Sequence, residues 1–375
     1  MSAAEDLRRN LRWIASRLVD ASVAERLLVA LSAIALSLLV SAVIILAAGY
    51  DPTTLVIYLV YGALSTPSQI AFMLRKTTML ILAGVAVAIA FRASVFNIGV
   101  QGQLVVGGFT AAMAILGLAP LLPTGSVSGV VLVSVGLFAG VLGGAIYAAV
   151  PGVMKAYADA NEVITTIMLN FIATGALFVL VDGPLKEPGV VAPKTVNFPE
   201  YAGFPAVVFD SSTFSALALA LALVVVFFTY VVMTNTTFGY DLRTSGQQTT
   251  AAAFSGVNPR RMIVSTMVFS GMVAGLCGAV YVVMVVGYYQ DPGTIPTFGF
   301  DAIAVSLLAA NNPLGVVPSG LLFGGLAAGQ QFVDVNTNIP SELIDGIVGL
   351  VVLFVATPEL FRMAGKRLDV GSECE

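Results

Sequence analysis

The chain has 375 residues, of which 58% are hydrophobic and only 10% are charged, whereas soluble domains carry roughly 25% charged residues. With a mean hydropathy of +0.96, this composition excludes a soluble protein. The absence of histidine excludes Ser-His-Asp catalysis, histidine metal sites and HExxH proteases. The net charge of −4 comes without a basic stripe, so nucleic acid is not an expected partner.

The N-terminal residues 1–26 carry five arginines among apolar residues, which predicts a cytoplasmic amphipathic helix at the membrane surface. The next apolar run, Leu27–Ala48, is too long for the core of a signal peptide, so we interpret it as a retained first span. Further spans are predicted at Thr77–Phe91, Leu104–Leu122, Val127–Val150, Val163–Val181, Phe214–Met233, Ile263–Val286, Phe300–Ala310, Leu314–Phe332 and Leu343–Thr357.

Two of these segments are shorter than the roughly 20 residues that cross a bilayer. Thr77–Phe91 can be extended backwards through Ile70–Leu74. Phe300–Ala310 precedes the sequence NNPLG, so we predict a discontinuous helix or one arm of a hairpin. The predicted fold is therefore an all-α polytopic transmembrane bundle of about ten spans with discontinuous segments.

The distribution of basic residues predicts the orientation. If the N-terminus is inside and the spans alternate, 13 of the 17 basic residues lie inside, which places both termini in the cytoplasm. Residues 27–357 then form the transmembrane domain and residues 358–375 a cytoplasmic tail. Cys277 lies in a span and Cys374 in the tail, so no structural disulfide is expected. The outside residues are Arg75, Lys76, Lys186 and Lys194.

Two longer segments connect the spans. Residues 182–213 form an outside loop rich in proline and glycine. Residues 234–262 form an inside loop that we expect to open with turns and to continue as a helix over Gln247–Phe254, ending at Gly256 and Pro259. We interpret this loop as a docking element, with Phe254 seated in a partner and Arg243 at the rim. The alternative is an ordinary solvated loop.

Glycines recur at helical spacing in three spans, which predicts close packing of helix backbones in one compact bundle. The residues are Gly136, Gly140 and Gly144, then Gly271 and Gly275, then Gly320 and Gly324.

Amide side chains concentrate in FNIGVQGQ, where Asn97, Gln101 and Gln103 stand among helix-loosening glycines at a point where the chain re-enters the membrane. Amides both donate and accept hydrogen bonds, which suits a neutral polar solute. The alternative is the start of an interfacial helix with Asn97 as its cap.

Two further segments have the same character. NEVITTIMLN places Asn161 and Glu162 at the start of a span and Asn170 two turns further in. GFDAIAVSLLAANNPLG places Asp301 at the start of the short segment and Asn311 and Asn312 at its end. A charged carboxylate at the bilayer centre costs roughly 2.5–3.5 kcal/mol, so we expect Asp301 to be paired or to cap the helix rather than to contact a ligand.

Four ordered segments, FNIGVQGQLVVGG, NEVITTIMLN, DLRTSGQQTTAAAFSGVN and GFDAIAVSLLAANNPLG, together resemble the permease subunits of ABC importers. The resemblance runs from about Arg75 to Pro358 and is closest to the branched-chain amino acid, ribose and nucleoside permeases, within them to the nucleoside or simple-sugar branch. That branch usually reads FNIG-x-EGQ, so Gln101 stands where Glu is usual and a role requiring negative charge is not carried over.

The resemblance implies a multi-pass cell-membrane subunit that is not an enzyme and that forms the pathway for a nucleoside or simple sugar. It implies a second permease, often a different chain, an extracytoplasmic solute-binding protein and ABC ATPase subunits that bind the ATP, so no cofactor or metal is expected here. The predicted pathway residues are Asn97, Gln101, Gln103, Asn161, Glu162, Asn170, Asp301, Asn311 and Asn312. Residues 247–257 resemble the coupling helix, and the predicted ATPase contacts are Arg243, Gln247, Ala251, Phe254 and Gly256.

Two other classes remain as alternatives. An ion-coupled secondary transporter would also use broken helices at mid-membrane, but the spans hold few ionisable residues and the long inside loop would lack a purpose. An intramembrane aspartyl protease would need paired aspartates in adjacent spans, and only Asp301 lies near the start of a span.

Overall fold

The computed structural model describes residues 23–209, 213–291, 293, 295–340, 342–347, 349–350, 353–354 and 357. The predicted amphipathic segment, apart from residues 23–26, and the predicted tail with Cys374 lie outside the described residues.

Helices make up the regular structure of the described residues, which confirms the predicted all-α class. One antiparallel bridge joins Lys194 to Gln290. We number the helices α1 Val23–Ala47, α2 Pro52–Leu64, α3 Pro67–Arg92, α4 Val100–Leu118, α5 Ser126–Ala158, α6 Glu162–Asp182, α7 Ala216–Asn235, α8 Thr237–Gln247, α9 Thr249–Phe254, α10 Pro259–Tyr281, α11 Phe298–Leu308 and α12 Val316–Asn336.

Seven helices in the described part of the chain are long and apolar enough to cross a membrane: α3, α4 with the 3-10 turn after it, α5, α6, α7, α10 with the π turn Val282–Val286, and α12. This confirms a polytopic membrane protein. The helices begin earlier than the apolar runs predicted, because polar residues cap them. Thr66 accepts a hydrogen bond from the Gln69 amide and starts α3 at Pro67, and Asn258 accepts from the Arg261 amide and starts α10 at Pro259.

Two details of the predicted elements are wrong. Helix α2 was not predicted, but its 13 residues span only about 20 Å and are too short to cross the membrane. The start of the inside loop is helix α8 rather than turns, because Thr236 caps it by accepting from the Gly239 amide. The second loop helix ends at Phe254, ahead of Gly256 with its φ of 84°, as predicted, and Pro259 then opens the next helix, since proline is tolerated at a first helical position.

The compact unit of residues 63–327 is organised around α3 and α10. In the apolar stretch of these two spans, 72% and 78% of the residues are buried. Helix α10 packs against α5 through the glycines that the sequence singled out. A Cβ on Gly144 would lie 2.7 Å from the Gly275 Cα, and one on Gly271 would meet the Gly144 backbone. Real Cβ atoms do not approach so closely, so these two helices require glycine where they cross. The predicted close packing is confirmed.

Helices α11 and α12 form the predicted hairpin arm and its return. Phe298 at the start of α11 lies beside Lys76 of α3. Two turns further along α11, Val305 lies beside Gly84 of α3. Residue numbers therefore rise together in the two helices, so α11 runs along α3 in the same direction. Its 11 residues cover about 16 Å and end within the bundle. Ala310 and Asn311, with φ of 51° and 56°, then turn the chain back.

Helix α12 runs against α3 in the opposite direction. Gly320 faces Ile81 and Gly324 faces Thr77, so rising numbers in α12 meet falling numbers in α3. The described residues within 1–62 and 328–375 form a second compact unit. Its described core joins Ile45, Leu55 and Leu59 to the C-terminal Val333, Ile339, Ile344 and Ile347.

Candidate functional site

A buried amide pair organises the segment before α4. Asn97 is fully buried, and its Nδ2 donates to Gln103 Oε1 at 2.9 Å and to Ser270 Oγ at 2.8 Å. Asn97 Oδ1 accepts from the Gly99 amide at 3.1 Å and from Gln103 Nε2 at 2.9 Å. The two amides therefore satisfy each other, and neither offers a free polar group to a solute in this conformation.

Ser270 extends this network to a third element. It lies on α10 and donates its own hydroxyl to the Ala86 carbonyl of α3 at 2.6 Å. The non-helical segment before α4 is thus tied to both central helices. This is the structure expected for unwound backbone at membrane depth, which is tolerated only where protein satisfies its polar groups.

Asn170 holds the same segment from helix α6. Its Oδ1 accepts from the Gly102 amide at 2.8 Å, and its Nδ2 donates to the Ile98 carbonyl at 3.0 Å. The Gly102 amide is one of the donors that the first turn of a helix leaves without an intrahelical partner. Asn170 is 5% exposed and caps α4 in place of a residue of the segment itself, whose cap position is Gly99.

Gln101 connects α4 to the half-length helix α11. Its Oε1 accepts from the Gly299 amide at 2.8 Å, and its Nε2 donates to the Pro296 carbonyl at 3.1 Å. These contacts use both ends of the amide, whereas an ionised glutamate at this position could accept but not donate. Gln101 therefore positions α11 through hydrogen bonds that suit an amide.

Asn161 and Glu162 fix the start of α6. Asn161 Oδ1 accepts from the amides of Val163 and Ile164, so it is the N-cap. The Glu162 carboxylate lies 3.1 Å from Lys155 Nζ, which ties α6 to the end of α5. Both residues make contacts within the protein, and a role in the pathway stays a prediction.

Among the polar residues of α11 and of the turn after it, Asp301 does not cap the helix, whereas Asn311 and Asn312 form hydrogen bonds within the turn. No side-chain hydrogen bond caps α11 at Thr297, so Asp301 does not have the predicted capping role, and Gln101 binds the Gly299 amide instead. Asn311 accepts from Ser306 Oγ at 2.9 Å, and Asn312 accepts from the Leu314 amide at 3.2 Å. These two asparagines form the turn between α11 and α12.

A charged and aromatic group that sequence reasoning did not include lies beside Asp301. Arg75 and Lys76 belong to α3, well inside the helix that begins at Pro67. Arg75 lies over the Phe72 ring at 4.3 Å from its centroid, and Lys76 lies 5.5 Å from the centroid of Phe298. The signal in the sequence was the RK pair just before Thr77, which we counted among the outside residues although the span could be extended backwards through Ile70–Leu74.

The outside loop is attached to the end of α10. The Thr195 amide donates to the Tyr289 carbonyl at 2.9 Å, and the Tyr289 amide donates to Thr195 Oγ1 at 3.0 Å. Tyr289 is 1% exposed, and its hydroxyl donates to Asp291 Oδ2 at 3.1 Å. Burial raises the pKa of Asp291 to about 6, although the Tyr289 hydrogen bond opposes the shift. Burial, followed by the Asp291 charge, raises the pKa of Tyr289.

The predicted docking loop folds into two short helices, α8 and α9, which leave the large side chains of Tyr240 and Phe254 exposed to solvent. Phe254 is 94% exposed at the end of α9. Gln247 and Gly256 are also exposed, Ala251 is half-buried, and Arg243 Nε donates to the Gly239 carbonyl at 3.2 Å. An open groove beside Phe254 is lined by Ala253, Gly256, Val257, Asn258, Pro259 and Arg260.

No group of three or more histidine, cysteine, aspartate or glutamate side chains able to hold a metal ion occurs among the described residues. The site therefore consists of amide networks, a half-length helix, the charged group on α3 and the projecting helices α8 and α9.

Comparison with known proteins assigns the chain to a family. Residues 69–356 match the family described as branched-chain amino acid transport system/permease component. The chain is 33% identical over 345 residues to the guanosine ABC transporter permease protein NupP of Bacillus subtilis, covering 91% of this chain and 96% of that protein. It is 28% identical to the nucleoside ABC transporter permease protein NupB of Lactococcus lactis, over 88% of this chain and 91% of that one.

A third relative is the glucose ABC transporter permease protein TsgB13 of Haloferax volcanii, 29% identical over 87% of this chain and 86% of that protein. The family match covers most of the chain and contains the four segments that carried the resemblance. The protein is a multi-pass membrane subunit rather than an enzyme, and it belongs to the family of permease components of the branched-chain amino acid type of ABC transport system.

Proposed function

We propose that this chain is the permease subunit of an ATP-driven importer for a nucleoside or a simple sugar. Its partners are ABC ATPase subunits, a second permease and an extracytoplasmic solute-binding protein. Both termini lie in the cytoplasm, and the chain carries the route and the coupling surface while the ATPases bind the nucleotide.

The observation that carries the proposal is the projecting helix pair α8–α9. An aromatic side chain that is 94% exposed costs solvation free energy unless a partner covers it, and large side chains of this kind anchor protein interfaces. A secondary transporter has no partner that would cover Phe254. The same surface of α8, α9 and the following turn would contact the ATPase and couple it to the permease. Its contact residues are Arg243, Gln247, Ala251, Phe254 and Gly256.

The attachment of this helix pair supports its role in transmitting motion. A Cβ on Gly246 would lie 2.5 Å from the Ala93 carbonyl carbon, so α8 packs directly on the end of α3. Phe238 packs edge-on against Phe269 of α10, with ring centroids 6.3 Å apart. A displacement of α8 by a partner would therefore act on the two central helices of residues 63–327.

The solute class rests on the relatives and on the chemistry of the buried site. Two of the relatives described above are named for guanosine and nucleosides and one for glucose. The amide side chains at and just after the segment between α3 and α4, Asn97, Gln101 and Gln103, carry no charge, which suits a neutral polar molecule. These observations support a nucleoside or a simple sugar as the solute class.

The experiment is co-purification and uptake with the complete set of candidate partners. The tagged chain is expressed with a candidate ATPase, second permease and binding protein, and labelled guanosine and glucose uptake is measured in membrane vesicles. We expect ATPase recovery with the wild-type chain and uptake that vanadate abolishes and that an ionophore leaves intact.

Phe254→Ala should reduce ATPase recovery and uptake together, because it removes the exposed anchor. Val191→Ala is the matched control, since Val191 is also 94% exposed but lies in the outside loop. Uptake that survives vanadate and collapses with the ion gradient would instead establish an ion-coupled secondary transporter.

A further inference from the structure

Arg75 and Lys76 lie inside a membrane span, where a cation without a carboxylate partner has a high desolvation free energy. Arg75 lies eight residues after the start of α3, about 12 Å along the helix. Both side chains are half-buried. In the described part of the chain, the ion pairs join Lys155, Lys186 and Lys194 to carboxylates, and neither Arg75 nor Lys76 takes part in one.

Lipid is a poor environment for these cations. Ionisable side chains in membrane spans face the bundle interior or a water-filled cavity, and they mark solute pathways. Arg75 and Lys76 also repel each other as adjacent like charges. Their position in a span of a permease indicates that their hydrogen-bond donors serve a group that enters the pathway.

Aromatic rings hold the two cations in place. Arg75 lies 4.3 Å and Lys76 5.5 Å from the centroid of the Phe72 ring. Lys76 also lies 5.5 Å from the centroid of Phe298, whose other neighbour is the edge-on ring of Tyr281 at 5.5 Å. Cation–π contacts of this kind orient the charged groups without consuming their hydrogen-bond donors.

Asp301 supplies an acceptor next to these donors. It lies one turn into α11 from Phe298 and interacts electrostatically with Lys76. Its side chain is exposed on the surface of the chain, and it forms no ion pair among the described residues. Gln101 fixes the position of Asp301 indirectly, because it binds the Gly299 amide two residues before.

We propose that Arg75, Lys76 and Asp301 form a contact site for the base of a 6-oxopurine nucleoside. This inference rests on the proposed function and names its substrate class. Arg75 and Lys76 donate to O6 and N7 of the base, the pairing that arginine and lysine make with guanine. The Asp301 carboxylate accepts from N1–H and, in guanosine, from the 2-amino group.

Other solutes match this arrangement less well. Adenosine presents an amino group at position 6 and an unprotonated N1, so it would face the cations with a donor and the carboxylate with an acceptor. Pyrimidine nucleosides lack N7. Glucose offers hydroxyl groups but no edge that combines adjacent acceptors with adjacent donors in one plane. The site therefore predicts discrimination between purines that differ only at positions 1, 2 and 6.

The test is uptake by the complete transporter in proteoliposomes at a saturating concentration of its binding protein. Labelled guanosine, inosine, adenosine and glucose are compared for wild type, Asp301→Asn and Lys76→Met. The binding protein is the same in every sample, so a changed ratio between solutes reports the permease. Wild type should prefer guanosine and inosine, and each variant should lose about tenfold in the guanosine-to-adenosine ratio, the size of one bidentate contact.

Two further variants control for structural damage. Lys76→Arg keeps a cation and should keep most of the preference. Asp182→Asn removes a carboxylate that pairs with Lys186 outside this site and should leave the ratio unchanged. Vanadate-sensitive ATPase activity confirms that each complex is assembled, and a variant that fails to assemble is replaced by Asp301→Ser or Lys76→Gln at the same positions.

The outcomes separate the two proposals. Nucleoside uptake by wild type with an unchanged ratio in both variants would overturn the site and leave the proposed function standing. ATP-driven uptake of glucose with no nucleoside uptake would also overturn the site. The absence of any ATP-driven uptake by the assembled wild-type complex would refute the proposed function and this inference with it.

Discussion

The amide pair Asn97–Gln103 makes a sharp prediction about stability. Asn97→Leu leaves three buried groups without partners, namely both ends of the Gln103 amide and the Gly99 N–H. Each such group costs about 1–3 kcal/mol, so we expect a loss of about 3–5 kcal/mol. Gln103→Leu should cost less, about 1–2 kcal/mol, because Asn97 keeps its bonds to Ser270 and Gly99.

The double variant Asn97→Leu/Gln103→Leu should be more stable than Asn97→Leu alone. It removes both amides together and leaves only the Gly99 N–H unpaired, at a cost of about 1–2 kcal/mol, because replacing both partners by apolar groups of similar size costs little. The interaction free energy between the two substitutions is therefore expected to be about 4 kcal/mol in magnitude, well above the few tenths found for independent sites.

The assay is thermal stability of the detergent-solubilised protein, followed by the fraction that remains monodisperse after heating. With about 2–4 °C per kcal/mol, Asn97→Leu should lower the midpoint by about 10 °C, and the second substitution should restore about half of that loss. Asn197→Leu, at an exposed asparagine of the outside loop, is the control. Midpoint losses that simply add in the double variant would refute the reasoning.

Three further results are expected, the first from the yield of folded protein and the other two from thermal stability. Gly275→Leu should prevent accumulation of folded protein, because even a Cβ there would meet the backbone of α5, whereas Gly175→Val should be tolerated because nothing lies within 4 Å; equal yields would argue against the crossing. Gln101→Glu should cost about 1 kcal/mol at neutral pH, because the donor to the carbonyl before α11 is lost; an unchanged midpoint would contradict this. The pKa of Asp291 is raised to about 6 from 3.8, so the folded state binds its proton more tightly than the unfolded state, and stability should fall as pH rises from about 4 to 6. Asp291→Asn should flatten that part of the profile, and an unaltered slope would count against the assignment.

The sequence by itself determined the class of the protein and much of its outline. Apolar runs of bilayer length leave no soluble alternative, because burial of that much apolar surface has to be met by lipid. The glycine spacings predicted close helix packing because residues four apart share one helical face, and α5 and α10 meet through those glycines. Proline and glycine after Asn311 likewise indicated that α11 would be half-length.

Only the tertiary structure decided what each polar residue does. Asn97, Gln101 and Asn170 have the same chemistry in the sequence, yet they bind a second amide, the start of α11 and the start of α4. Hydrogen-bond partners such as Ser270 lie 173 residues away from Asn97, and no local pattern encodes such a distance. The role of Asp301 changed for the same reason, because Gln101 already occupies the amide that the carboxylate was expected to bind.

The grouping of Arg75, Lys76 and Asp301 also required the fold. In the sequence the RK pair preceded an apparent span and counted among the outside residues, since hydropathy locates the apolar part of a helix and not its capped start at Pro67. The return of α11 along α3 brings a carboxylate from more than 200 residues later beside Lys76. Chain sequence sets the hydropathy and the caps, whereas long-range packing decides which charges meet.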